Sequence, residues 1–263
     1  MNTMQCALPP RPPQYRQRGV ALFVVIVFVM LSMLLALWAS RTSLFNELVV
    51  GNDADYQRAF EAAQALLQDA ELDIRNQKND GSECIGADDV CRTGIDEKIP
   101  LDVTERDLLL PALEKKTTGC SKGLCVKRSG KLDFWNNADP AKGITAAQMM
   151  ATDVGARYGQ FTGAAKGSST LPINPILQWD NTTPANQGGW YWIEVLPYDK
   201  SSDFSSIIVG STKKNLLKIN LGGNTSPNVV YRITALAFGR KPGTQVVLQQ
   251  TYAPQRSMGD TPS

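Results

Sequence analysis

Arg16-Gln17-Arg18-Gly19-Val20-Ala21-Leu22-Phe23-Val24 opens the stretch that decides the fold, and its apolar part runs on to Leu37-Trp38-Ala39. From Val20 to Ala39 there is no charge and one hydroxyl, Ser32. At about 1.5 Å per residue such a helix is about 30 Å long, the thickness of a bilayer core. No second run of this kind follows, and the mean hydropathy of the 263-residue, 28.7 kDa chain is only −0.20. One span is therefore expected to carry residues 40–263 as water-soluble protein.

Charge orients the span. Residues 1–19 hold Arg11, Arg16 and Arg18 and no acid, so the formal +2 of the chain belongs to this segment and the remainder is close to neutral. A basic segment ahead of a span stays cytoplasmic, which sends the remainder to the periplasm or the exterior. A near-neutral body lacks the basic stripe that nucleic acid requires, so no nucleic-acid partner is expected. Cysteine usage agrees with export. Cys6 lies in the basic segment, while Cys84, Cys91, Cys120 and Cys125 form an even set in the soluble part. In an oxidising compartment these read as two disulfides. Of the three possible connectivities, two local loops, Cys84–Cys91 and Cys120–Cys125, are favoured. The competing reading is a four-thiolate zinc site, which the C-x6-C and C-x4-C spacings fit poorly. The chain has no histidine, which removes His-based triads, His general bases and mixed Cys/His metal sites.

An ordinary secretory signal has a shorter apolar stretch with a small-residue cleavage site behind it. Ala39 mimics such a site, but Trp38 beside it makes a poor one. The junction at Gly19-Val20 instead resembles the leader of type IV pilins and pseudopilins. In that family a prepilin peptidase cuts after a glycine at the cytoplasmic membrane face. The apolar helix is kept, and the new first residue is methylated. The resemblance implies Gly19 as the last leader residue and Val20 as the methylated first residue. The kept helix would be first a membrane anchor and then a filament-core element, with Val24, Phe28, Leu31 and Leu35 as assembly positions. An uncut signal anchor is the alternative.

Major pilins of that family carry glutamate at the fifth mature position, where it pairs with the amine of the preceding subunit. Here that position is Val24. An unpaired charge deep in a bilayer costs about 2.5–3.5 kcal/mol on insertion scales. A subunit with no predecessor gains no partner for it, so its loss suits a filament tip.

Beyond the span, Arg41-Thr42-Ser43-Leu44, Val50-Gly51-Asn52-Asp53 and Arg58-Ala59-Phe60-Glu61-Ala62-Ala63 together resemble the N-terminal region of PilX-type minor pilins over residues 16–75. The segment also reads as a helix without that resemblance. Phe60, Ala63, Leu67, Ala70 and Ile74 form one apolar stripe, the face on which a globular domain would sit. Arg58 with Glu61, and Glu71 with Arg75, are spaced to pair. Gly51-Asn52 interrupts it. A mid-helix glycine costs about 1 kcal/mol, and Asn52 or Asp53 can cap a new start, so a kink or a short melted step is expected there.

After Asn79-Asp80-Gly81-Ser82 the texture turns to loops. Short helices are expected at Glu105–Lys115 and Ile144–Thr152, with an irregular connection from Ala164 to Pro175. The acidic residues between Asp80 and Glu97 do not fit a calcium-loop pattern. Asn181-Thr182-Thr183 and Asn224-Thr225-Ser226 match the generic glycosylation triplet. The last third reads as an antiparallel sheet, with strands at Trp190–Leu196, Ser206–Gly210, Leu216–Leu221, Val229–Phe238 and Thr244–Tyr252. Gly239-Arg240-Lys241-Pro242-Gly243 forms the loop of the final hairpin. That hairpin and the Gly123-Leu124-Cys125 step again resemble PilX-type proteins. Trp190, Tyr191 and Trp192 are either core on one face or a recognition surface.

The fold class expected is α+β and type IV pilin-like: a long N-terminal hydrophobic helix, kinked near Gly51, packed against a C-terminal antiparallel sheet. Its parts are a leader at 1–19, a membrane and filament-core helix at 20–39, an amphipathic continuation at 40–79 and a periplasmic globular domain at 80–263. The resemblance implies a minor pilin at or near a pilus tip that joins other minor pilins in the inner membrane to prime pilus assembly, and that supports presentation of a tip adhesin in adhesion and twitching motility. Its expected partners are the major pilin, the prepilin peptidase, the assembly platform and a large tip adhesin. No cofactor, metal or catalytic residue is expected. A tip pseudopilin of a type II secretion system is the alternative within the superfamily. The poor calcium pattern and the Gly-Asn/Ala-Phe segment favour the pilus. A signal-anchored periplasmic enzyme would need a pair such as Ser121 and Lys122, which nothing else in the chain supports.

Overall fold

The computed structural model describes residues 20–85, 90–92, 94, 97–101, 103–128, 133–164, 174–180, 182–184, 186–197 and 229–253. Outside them lie Gly19 and the leader, the strand candidates Ser206–Gly210 and Leu216–Leu221, Asn181 and Asn224, and most of the connection expected at Ala164–Pro175. The chain divides into two compact units that meet between Gly51 and Asn52.

The described part of the first unit is helix. α1 begins at Val20 and ends at Ile74, in the second unit, without interruption at Gly51 or Asn52. The melted step expected there does not form. The glycine's cost of about 1 kcal/mol is small beside what fixes the next turn. Asn52 does not cap a new helix, because its side-chain oxygen accepts from Lys241 Nζ at 3.0 Å. Asp55 is buried and takes the backbone N–H groups of Arg240 and Lys241 at 2.9 and 3.0 Å. The helix closes with Asn76 in the left-handed region. Gln77 N donates to Leu72 O and Asn76 N to Asp73 O, the paired bonds that satisfy terminal carbonyls.

In the second unit the buried face of α1 comprises Ala59, Ala62, Ala63, Leu66, Leu67, Ala70 and Ile74. Phe60, expected in the stripe, sits only partly buried at its edge. Asp55, Asp69 and Asp73 share the buried face. Glu71 accepts from Gln250 Nε2 rather than pairing with Arg75.

This face packs on a sheet with six strands among the described residues: β1 Cys120–Ser121, β2 Leu124–Cys125, β3 Ala156–Arg157, β4 Gly189–Pro197, β5 Val229–Phe238 and β6 Gln245–Tyr252. The order is β1-β2-β4-β5-β6. All pairings are antiparallel except β2 with β4. One edge of β4 is shared. β3 pairs there with Trp190 and Tyr191, and β2 pairs further along with Ile193 and Glu194. The β1–β2 turn has Lys122 and Gly123 both at positive φ, 48° and 82°, as a two-residue hairpin of the primed type requires. A Cβ at Gly123 would lie 2.6 Å from Ala156 Cβ, so the turn needs glycine for space as well.

Strand alternation splits the core in two. Tyr191, Ile193, Val195, Tyr231, Ile233 and Ala235 face α1. Trp190, Trp192 and Leu236 face the other way, onto Phe134, Met149 and the Cys120–Cys125 disulfide. Trp190, Tyr191 and Trp192 are all at most 5% exposed, so they form no recognition surface, and both sheet faces are covered. Trp192 meets Phe134 edge-on at 4.7 Å and donates Nε1–H to Met149 O.

Among the described residues two α-helices lie in the loops. α2 covers Val103–Glu114, close to the expected Glu105–Lys115. α3 is one turn, Ala146–Met149, capped by Thr145 in a box with Gln148. The longer helix expected at Ile144–Thr152 does not form. The chain turns back through Asp153, at φ 63°, to reach β3.

Candidate assembly helix and the unit it serves

Val24, Phe28, Leu31 and Leu35 recur at helical spacing on α1 and are 55%, 71%, 53% and 72% exposed. Their neighbours Phe23, Met30, Leu34 and Trp38 are equally exposed, so the segment is apolar on every side rather than on one stripe. Such a helix belongs in lipid or among other apolar helices. None of the residues in its most apolar 18-residue window is buried. Ser32 Oγ donates to Phe28 O at 2.8 Å, and Thr42 Oγ1 to Trp38 O at 2.9 Å. Each hydroxyl is thus satisfied within the helix, as a group facing hydrocarbon must be.

The second unit is held by carboxylates that the apolar pattern did not reveal. Asp73 on α1 pairs with Arg92. Tyr191 O–H donates to the same carboxylate at 2.9 Å, and burial together with the Asp73 charge raises the Tyr191 pKa well above the ordinary phenol value. One turn earlier, Asp69 accepts from Gly159 N at 2.8 Å and from Thr162 Oγ1. Burial lifts Asp69 to about 6 against the pull of those two bonds, and the Asp73 charge adds to the rise.

On the sheet, Glu194 is almost wholly buried between Arg128 and Arg232. Its burial favours the neutral acid, but the bonds from Arg232 and Arg128 outweigh that and hold its pKa below the usual range. These groups tie α1, the loops and the sheet together, and each carboxylate is saturated by its neighbours.

The chemistry considered for an enzyme does not assemble. Ser121 Oγ accepts from Lys116 Nζ at 2.6 Å, while Lys122 Nζ pairs with Glu97. Ser121 and Lys122 therefore serve different partners. The cysteines form disulfides, Cys84–Cys91 and Cys120–Cys125, which overturns the four-thiolate zinc alternative. Among the described residues no three His, Cys, Asp or Glu side chains gather as metal ligands.

A long helix, apolar all round in its first part and leading into an α+β unit, is the arrangement of the pilin class. The chain belongs to the PilX family of type IV pilus minor pilins. The family model for the C-terminal region of the type IV pilus assembly protein PilX matches residues 121–254, and the PilX N-terminal model matches residues 18–68. No curated protein and no solved structure matches the chain. Membership makes it a structural pilus component that acts with other pilus subunits.

Proposed function

We propose that the chain is made as a precursor with a cytoplasmic leader at 1–19 and is cut after Gly19 by a prepilin peptidase. It is then methylated at Val20 and held by a single pass through the inner membrane at 20–39. Of residues 40–79, those up to Ile74 continue that helix, and 80–263 form the periplasmic domain. From the membrane, the subunit enters a pilus at or near its tip. The helix carries assembly through Val24, Phe28, Leu31 and Leu35, packing beside other minor pilins and the major pilin on the inner-membrane platform. The subunit primes polymerisation and supports a large tip adhesin. After the precursor cut there is no bond chemistry.

The observation that carries this reading is Val24. From Val20 to Ser40 there is no carboxylate, and the first acid is Glu47. A helix entering lipid with no acid to neutralise needs no preceding subunit, which suits the first one in. Intact mass and N-terminal sequencing, with and without co-expressed prepilin peptidase, test the precursor step. A mature chain starting at Val20 only when the peptidase is present is expected, and a cut after Ala39 defeats it. Immunogold labelling of sheared pili tests position. Gold at filament ends is expected, and gold along the shafts removes the tip assignment.

A further inference from the structure

A cleft of about 800 Å³ lies between residues 175–178, 183 and 186–188 on one side and the β5–β6 hairpin loop on the other. Its rim presents four side-chain amides, Gln178, Asn186, Gln187 and Gln245. None of the four amide groups bonds another described residue. Arg240 is exposed on the hairpin side, and Phe238 and Pro242 add apolar surface. Among the described residues no carboxylate lines the cleft.

Both walls are fixed from beneath. Arg157 donates to Gln187 O at 2.8 Å and to Pro184 O at 3.3 Å while stacking on Trp190 at 3.7 Å. Asp55 holds the opposite loop through the N–H groups of Arg240 and Lys241. Phe238 N donates to Gly188 O at 2.9 Å and joins the two walls. The backbone at Pro184, Gln187 and Gly188 is thus held in place, and the unused polar capacity belongs to side chains, which is how orientation-fixing groups are set in ligand clefts.

We propose that this cleft binds a saccharide bearing a carboxylate. An amide offers a donor and an acceptor side by side, which matches a sugar hydroxyl that must both give and receive. The guanidinium of Arg240, which bonds no other described residue, suits a carboxylate. Phe238 and Pro242 offer faces for the C–H side of a sugar ring. An extended peptide is a poorer fit. It would need a strand edge to join or deep apolar pockets for its side chains. Here the Arg240 and Lys241 N–H groups are already committed to Asp55, the edge strand β6 brings only its first residue, Gln245, to the lining, and Ile176 is buried in the wall at 4% exposure. The assignment does not depend on where in a pilus the chain sits.

Saturation-transfer NMR on the full chain in detergent micelles, with sialyllactose and lactose as probes, tests it. Transfer to sialyllactose is expected, with binding to lactose weaker by about tenfold for the missing charge-assisted bond. Arg240→Gln should bring the two sugars together. Asn186→Trp should abolish transfer to both with the melting temperature unchanged. No transfer to either sugar overturns the proposal, as does an Asn186→Trp chain that still binds. Transfer to a tetraglutamate probe as strong as to sialyllactose also overturns it, because plain attraction of anions would then suffice.

Discussion

Asp73 on α1 and Arg92, the residue that follows the disulfide cysteine Cys91, form a two-pronged ion pair at 2.8 and 2.7 Å with both side chains 2% exposed. The guanidinium also donates to Lys122 O at 2.8 Å in the β1–β2 turn and lies 3.7 Å from the centre of the Phe161 ring. One contact therefore joins the helix, the first disulfide loop and the sheet.

Removing one member of such a pair strands a buried charge. Arg92→Met is expected to cost about 3–5 kcal/mol, read by urea unfolding of the oxidised chain. The double variant Asp73→Asn with Arg92→Met should cost clearly less, because no charge is left behind. If the single and double variants were equally destabilised, the ion pair would not be what sets the cost.

The Cys84–Cys91 bond should be coupled to that pair. Closing a loop of this length stabilises by about 2.5 kcal/mol through the unfolded state. If the bond also delivers Arg92 to Asp73, replacing both cysteines by serine and removing Arg92 will not add. A double-mutant cycle should give a coupling of about 0.5–3 kcal/mol. Simple additivity would confine the disulfide to chain entropy.

Asp69 sets a pH dependence of unusual sign. Its folded pKa of about 6 stands above the ordinary 3.8. The folded state therefore holds the proton more tightly between those values. Stability rises as pH falls from 7 toward 4, by about 3 kcal/mol at most. Glu194 works the other way. Its lowered pKa gives stability that is present above the ordinary value of 4.5 and is lost as pH drops through its folded pKa. Asp69→Asn should flatten the rise, since the amide can still accept from Gly159 N–H and donate to Thr162 Oγ1. Melting temperatures from pH 4 to 7 decide it, and an unchanged slope in the variant would remove Asp69 from the account.

Gly239 is required for space. A Cβ there would lie 2.3 Å from Asp55 Oδ2 and 2.5 Å from Thr244 Cβ. Gly239→Ala should displace the hairpin loop from α1 and cost about 1–3 kcal/mol as an overpacking change. Thermal melting and amide exchange at Arg240 and Lys241 report it. Faster exchange at both N–H groups is expected, and unaltered exchange would show that the loop absorbs the methyl without releasing Asp55.

The long helix, the final hairpin and the two local disulfides were legible in the sequence because each is a local signal. Twenty uncharged residues demand a helix in lipid. Val229–Phe238 emerged with the bounds that its β-branched and aromatic run implied. The disulfide cysteines lie close in sequence. The short helix at 146–149 was overestimated because periodicity registers apolar residues. It does not register a carbonyl claimed by Trp192 or a chain that must turn back at Asp153.

The three buried aspartates were invisible to the same reading. An Asp on an apolar face looks like an interruption until its partner arrives, and the partners come from 19 to more than 180 positions away: Arg92 for Asp73, Thr162 for Asp69, Arg240 and Lys241 for Asp55. The parallel pairing of β2 with β4, the cover over both faces of Trp190–Trp192 and the cleft at Arg240 are likewise products of distant segments meeting. The sequence by itself determined what partitions into lipid and which short elements form, because burial propensity and backbone preference are properties of neighbouring residues. The tertiary structure decided which polar groups are neutralised inside and which are left free on the surface, because a buried charge is tolerated only where the fold brings its counterpart within hydrogen-bond reach.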